Sequence, residues 1–250
     1  MIHSFLLIGQ SNMAGRGELT EAPAIDTTHI KVLRNGRWQK MYRPVNADQP
    51  SAGFCLAESF AERYAAKYNV DVGLIGCADG GTSLQQWQPG SLLFDHAVYQ
   101  ARLAQRTSTI AGVLWHQGES DCGDANSSTY AQRFLPIMEA LRKELNLYDV
   151  PFILGGLGSF LANYSASMAQ NYPKVNLALQ KLAQEQPMTG FVSAAGLQGK
   201  VGDNLHFCTT ALYEFGLRYF DEFEKLRDPD KVFEEKPHPD NAVRTDMELL

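Results

Sequence analysis

Ser4-Phe5-Leu6-Leu7-Ile8, followed at once by Gly9-Gln10-Ser11-Asn12-Met13-Ala14-Gly15-Arg16-Gly17, sets the architecture of the whole chain. A short, nearly unbroken apolar run closed by glycine reads as a strand buried on both faces, and strands of that kind belong to parallel sheets covered by helices. Similar runs recur at residues 70–77, 110–115, 150–154 and 191–194, which makes five buried strands. Between them lie helical stripes. Ala57, Phe60, Ala61, Tyr64, Ala65 and Tyr68 fall at i, i+3, i+4, i+7 spacing, as do Tyr130, Phe134, Met138, Leu141 and Leu145. Leu212, Phe215, Gly216, Tyr219, Phe220 and Phe223 form a third stripe. Strands separated by helices imply right-handed crossovers and an α/β three-layer sandwich around a five-stranded parallel sheet. Residues 30–39, with Asn35-Gly36 at the centre, read as a small β-hairpin inserted after the first strand.

Composition agrees with one globular unit. The 250 residues are 44% hydrophobic and 20% charged, near the soluble average, which argues against disordered, collagen-like and disulfide-scaffold classes. A net charge of −6 without a basic run gives no footprint for nucleic acid, and no apolar stretch approaches the ~18 residues of a membrane span. Residues 1–9 carry no basic segment ahead of a long apolar core, and the four cysteines (Cys55, Cys77, Cys122, Cys208) are scattered without a Cys-x-x-Cys pair. Both features fit reduced thiols in a cytoplasmic protein. From Arg227 onward the chain turns dense in Asp, Glu, Lys and Pro, so the expected division is a domain over 1–226 and a charged tail over 227–250.

In an open parallel sheet, ligands bind beyond the carboxyl ends of the strands. The segments that follow the strands here are unusually polar or glycine-rich. They are the Ser11 block, Ala78-Asp79-Gly80-Gly81-Thr82-Ser83, His116-Gln117-Gly118-Glu119-Ser120-Asp121, Gly155-Gly156, and Gly202-Asp203-Asn204-Leu205-His206. Ser11 at a strand–helix junction is either a helix cap or a nucleophile facing the crevice. Asp203 and His206, three apart, can share one side of a turn, so the carboxyl can orient the imidazole as a serine's general base; equally, Asp203 can cap the last helix and His206 lie half-buried. Gln117 can donate to a developing oxyanion, and Gly80 or Gly81 can offer a backbone N–H. Glu119 and Asp121 rival Asp203 for the acidic role, with loop scaffolding as the alternative. The Gly-x-Ser-x-Gly elbow is absent because Met13 holds the last position, and no dinucleotide or Walker fingerprint is present. His96, His116 and His206 lack metal-ligand spacing, so no metal is expected.

Taken together, Gly9–Gly17, Gly80-Gly81-Thr82-Ser83 with Trp87, Trp115-His116-Gln117-Gly118-Glu119-Ser120 and Asp203-Asn204-Leu205-His206 resemble the SGNH/GDSL hydrolase superfamily. The resemblance is closest to its carbohydrate O-acetylesterase branch, related to acetylxylan esterase and sialate O-acetylesterase, and it spans about residues 1–225. It implies a flavodoxin-like SGNH fold with Ser11 as nucleophile, His206 as general base and Asp203 as its orienting partner. Ser11 N–H, a Gly80 or Gly81 N–H and the Gln117 side chain would form the oxyanion hole. In the wider superfamily that last donor is usually Asn, and in some relatives a Ser–His pair suffices without the acid. Arg16, Trp87 and Glu119 are expected to bind substrate or stand behind the site, and Trp87, Trp38 and Arg16 to line a sugar-binding surface. Trp115 is expected in the core. The implied substrate is a small-molecule or oligosaccharide acetyl ester, hydrolysed through an acetyl-serine without metal or organic cofactor. Other short-chain acyl esters or thioesters are the alternative, and a non-catalytic carbohydrate-binding protein is a third.

Overall fold

The computed structural model describes residues 1–231 and residue 233. Of the charged tail expected over 227–250, residue 232 and residues 234–250 therefore lie outside the described residues. The elements, in chain order, are β1 (Ile2–Gly9), α1 (Ser11–Ala14), β2 (Ile30–Arg34), β3 (Arg37–Lys40), α2 (Leu56–Tyr68), β4 (Asp71–Gly76), α3 (Leu92–Gln105), β5 (Thr109–His116), α4 (Asp124–Ser128), α5 (Tyr130–Leu145), β6 (Phe152–Gly155), α6 (Ala166–Glu185), β7 (Thr189–Val192) and α7 (Thr209–Leu226). They build a helix–sheet–helix sandwich.

The sheet order is β3-β2-β4-β1-β5-β6-β7, with only the β2–β3 pair antiparallel. Alternation along each strand sends side chains to two separate cores. From β1, Leu6 and Ile8 join the core under α3, α5 and α6, whereas Phe5 and Leu7 join the one under α2 and α7. Helix α7 buries Phe215, Tyr219, Phe220 and Phe223 there, and each fully buried side chain of this size contributes about 2 kcal/mol. Chain direction across the sheet reverses at β1: the segment from β2 to β4 lies to one side and β5 to β7 to the other. The crevice between the carboxyl ends of β1, β4 and β5 is thus the topological switch point, where a ligand site is expected.

Three expectations change. The sheet has seven strands rather than five, because the hairpin is no separate insertion; Ile30, Lys31 and Val32 pair in parallel with Val72, Gly73 and Leu74 and extend the sheet. Glycine at position 73 leaves room for the Trp38 ring of β3 over β4, since a Cβ there would come 2.5 Å from it. The last strand begins at Thr189 rather than Phe191, because Thr189 and Gly190 carry no apolar signal yet pair with Phe152 and Ile153. Helices α3 and α6 escaped the periodicity reading. Most of what α3 buries is alanine (Ala97, Ala101, Ala104), and α6 buries a narrow stripe of Asn171, Val175, Leu179 and Leu182 with Pro173 inside. Among the described residues no helix is long and apolar enough to cross a membrane.

Candidate active site

The site starts from a backbone constraint at the end of β1. Gly9 has φ +128°, and a Cβ there would lie 2.1 Å from the His116 carbonyl oxygen on neighbouring β5, so only glycine lets the two strand ends close together. Gln10 N–H then donates to that carbonyl at 2.9 Å, and the chain turns into α1 with Ser11 as its first residue. Ser11 is therefore not the helix cap; Gln10 holds that position.

From the far end of the chain, residues 203–206 fold over Ser11. His206 Nε2 lies 3.0 Å from Ser11 Oγ, and His206 Nδ1 lies 2.9 Å from Asp203 Oδ2. A carboxylate can only accept, so Nδ1 carries the proton and Nε2 is left to accept from the Ser11 hydroxyl. Asp203 Oδ1 accepts the N–H groups of Leu205 at 2.7 Å and His206 at 2.9 Å, which makes the turn that aims the ring. Burial pushes the Asp203 carboxyl up, but those two N–H bonds and the His206 ring outweigh it and hold the group below its ordinary range. Asp203 does not cap the last helix; the position before α7 belongs to Cys208.

Around this line runs a cleft of about 480 Å³ whose lining includes Ser11, His206, Asp203, Gln10, Gly80 and Gly81. The N–H groups of Ser11 and Asn12 open α1 and so have no partner within that helix. Gly80 N–H is already bound to Asp48 Oδ2 at 2.9 Å, whereas Gly81 N–H donates to nothing among the described residues. Of the two glycines, Gly81 is the one with a donor to give.

Gln117 is a correction. It is fully buried and does not line the cleft. Its two amide hydrogens go to Thr82 O at 3.0 Å and Asp121 Oδ2 at 2.7 Å, while its Oε1 accepts from Tyr130 Oη at 2.9 Å. With both hydrogens spent, the amide braces the loop and has none for an oxyanion. Gln10 has the free donor. Its Oε1 faces the N–H groups of Ser120 at 3.3 Å and Gly118 at 3.5 Å, and its Nε2, on a side chain lining the cleft, has no partner among the described residues.

The aromatic expectation also fails. Trp87 is fully buried, donates its Nε1 hydrogen to Thr82 Oγ1 and packs edge-on against Trp115. Trp38 is buried on β3 with its indole N–H on Thr107 Oγ1. Neither offers a face to a sugar. Tyr164 and Met168 line the cleft instead, and Tyr164 is 51% exposed. Trp115 lies in the core, stacked on Phe134.

Arg16 lines the cleft but is committed. Its guanidinium forks onto Asp48 at 3.1 and 2.6 Å, both partners nearly buried, and Asp48 also accepts the Gly80 N–H. Glu119 lines the cleft and accepts from Asn12 Nδ2 at 2.5 Å; it does not bond the imidazole of His206, whose Nδ1 belongs to Asp203. Asp121 accepts from Gln117, from Leu84 N–H at 2.8 Å and from Arg133 at 2.8 Å, a purely structural set of partners. His116 packs its ring edge-on against Phe207 and Phe215, and complete burial keeps it below the ordinary imidazole range against the pull of Glu119. Gln49, Ser51, Tyr164 and Lys200 also line the cleft, with Asp48 behind them on the Gly80 N–H, and none has a cue in the residue order because they come from irregular segments that match no motif. Gln10 stood inside the quoted serine block.

Known proteins share this arrangement of elements. The model of a family described as carbohydrate esterase, sialic acid-specific acetylesterase, matches residues 1–225. A probable carbohydrate esterase of Arabidopsis thaliana is 30% identical over 236 residues, covering 85% of this chain and 86% of that protein. The X-ray structure of an Arabidopsis thaliana protein superposes with a TM-score of 0.79 at 28% identity, over 89% of this chain and 98% of that one. NanS, at TM-score 0.67 and 17% identity, spans 90% of this chain and 97% of its own. A carbohydrate acetylesterase from Xanthomonas citri, at TM-score 0.65 and 18% identity, spans 90% of this chain and 56% of its own, and both of these last two share the fold.

Proposed function

The chain belongs to the carbohydrate esterase family of the sialic acid-specific acetylesterases, and from that premise we propose that it removes O-acetyl groups from carbohydrate through an acetyl-serine intermediate. The observation that carries this reading is the unbroken line Asp203 Oδ2–His206–Ser11 Oγ, with contacts of 2.9 and 3.0 Å, opening into a cleft. His206 Nε2 takes the hydroxyl proton as Ser11 Oγ attacks the acetyl carbonyl. The oxyanion that forms is received by the N–H groups of Ser11 and Gly81 and by Gln10 Nε2, donors fixed before the reaction begins. The imidazolium, steadied by Asp203, returns its proton to the departing sugar hydroxyl. Water then enters, His206 again acts as base, and acetate leaves. Tyr164 supplies the aromatic face for the sugar ring beside the polar rim.

Within this reading residues 1–226 are the esterase domain and 227–250 a charged appendage. Four unpaired cysteines, three of them buried, support a reducing compartment such as the cytoplasm. The test is p-nitrophenyl acetate hydrolysis and fluorophosphonate labelling of wild type and Ser11→Ala. Loss of both in a folded variant supports the reading, and undiminished turnover in Ser11→Ala overturns it. Acetate release from acetylated xylan, acetylated sialic acid and simple sugar acetates then ranks the sugars, while a preference for octanoyl over acetyl esters would move the enzyme out of this class.

A further inference from the structure

Two buried polar groups beside the nucleophile are not used by the chemistry above. Asn12, next to Ser11 and almost fully buried, spends its amide on a chain segment 195 residues away. Its Oδ1 accepts the N–H of Phe207 at 3.1 Å and its Nδ2 donates to the carbonyl of Leu205 at 3.2 Å. Those are the main-chain groups on either side of His206. The second Nδ2 hydrogen goes to Glu119 Oε1 at 2.5 Å, and the other Glu119 oxygen has no hydrogen-bond partner among the described residues.

We propose that Asn12, held in one orientation by Glu119, is the positioning residue that fixes His206 Nε2 against Ser11 Oγ, and that Glu119 acts through Asn12 and not on the substrate. The inference rests on Ser11 being the nucleophile. An asparagine amide can sit two ways round. Flipped, its oxygen would face Leu205 O and Glu119 Oε1, and its NH₂ would face the Phe207 N–H, so every contact would turn repulsive. Glu119 Oε1, as an acceptor, makes the observed orientation the satisfied one. Because Ser11 and Asn12 are adjacent, the amide then ties the backbone of the nucleophile to the backbone of the base from one side, while Asp203 holds the same turn from the other. A polar carboxyl this deeply buried is costly to the fold, and its single short bond goes to Asn12.

The experiment measures kcat and KM for p-nitrophenyl acetate across pH in wild type, Glu119→Ala, Glu119→Gln, Asn12→Asp and the double variant Asn12→Asp/Glu119→Gln, with folding followed by circular dichroism. Loosening a reacting geometry by about 1 Å costs on the order of 10²-fold, so Glu119→Ala and Asn12→Asp are expected to lose about 10- to 100-fold in kcat with KM within about threefold. Glu119→Gln can still offer Oε1 to Asn12, and keeps at least about a tenth of the wild-type kcat with the wild-type pH profile. In the double variant the introduced glutamine amide donates to the introduced carboxylate, and kcat recovers severalfold over Asn12→Asp alone. If Glu119→Gln is as inactive as Glu119→Ala and loses a limb of the pH profile, Glu119 is an acid–base group on the substrate and the proposal falls. It falls equally if the double variant shows only the product of the single losses. Should Asn12→Asp fail to fold, the Gln-against-Ala comparison at Glu119 decides alone. Full turnover in Ser11→Ala would instead overturn the underlying reading, whatever the Glu119 variants do.

Discussion

Asp203→Asn separates the two jobs of one carboxyl. In the wild type, Oδ1 holds the turn through the N–H groups of Leu205 and His206 at 2.7 and 2.9 Å, and Oδ2 accepts from His206 Nδ1 at 2.9 Å. Asparagine keeps the first job, because its oxygen must still face those two donors. Its NH₂ then takes the Oδ2 position and points hydrogens at Nδ1. The imidazole responds by moving its proton to Nε2, where it faces Ser11 Oγ 3.0 Å away and can no longer accept the hydroxyl proton. A wrong-tautomer base of this kind costs about 10⁴-fold in kcat, or about 5.5 kcal/mol of transition-state stabilisation. The fold loses one charge-assisted bond at a half-exposed site, and the thermal midpoint is expected to drop by less than about 10 °C. Steady-state hydrolysis of p-nitrophenyl acetate gives the rate, and thermal melting followed by circular dichroism gives the midpoint. A folded Asp203→Asn that keeps more than a tenth of the wild-type kcat would refute this reasoning and leave Asp203 as a turn-former only. Since Asp203 is held below the ordinary carboxylate range, the orienting charge persists at neutral and weakly acidic pH and is lost only as pH falls through that lowered value.

Further outcomes follow from other contacts. Gln10→Glu replaces the free amide donor by an acceptor and is expected to lower kcat about 10²- to 10³-fold, whereas Gln117→Met strands buried partners and shows first as at least about 2 kcal/mol of lost stability; the reverse pattern would return the oxyanion role to Gln117. Gly9→Ala puts a methyl 2.1 Å from the His116 carbonyl at φ +128°, a cost on the order of 4 kcal/mol or more, and soluble expression with an unaltered melting curve would contradict it. His3 is pushed down to about 4 by burial, then by the charges of Arg227 and the N-terminus. The unfolded chain therefore binds more protons than the folded one between pH ~6.5 and ~4, so stability is full above that window and falls as pH drops through it, by up to about 3 kcal/mol. Urea unfolding at pH 7.5 and 4.5 should show a larger loss in wild type than in His3→Gln, which keeps the share contributed by buried His116, and equal losses would rule the assignment out. Tyr164→Ala removes the exposed ring from the cleft and is expected to raise KM for an acetylated oligosaccharide about 3- to 10-fold, with a smaller change for p-nitrophenyl acetate, which lacks the sugar ring; equal changes for both would discount the platform.

The layered α/β architecture, and the edge of the sheet that holds the candidate site, were legible in residue order alone. Buried strands announce themselves through local apolar runs, and the segments after β1, β4 and β5 are polar or glycine-rich because the backbone must turn there. Ser11, Asp203 and His206 came forward in the same way, since a turn of four residues and a strand–helix junction are both local. Whatever depends on the direction a side chain takes waited for the packed molecule. Gln117 and Gln10 carry the same amide, yet one is spent on Thr82 and Asp121 while the other keeps its Nε2 free, and no spacing distinguishes them. Trp87 is apolar enough for either a core or a platform, and only the packing against Trp115 sends it inward. The pairing of Ile30 with Val72, the grip of Asp48 on Gly80 and that of Asn12 on the turn around His206 join residues 32 to 195 positions apart. Contacts at such separation leave no periodic trace in a sequence, because they are set by how the layers close and not by the local path of the chain.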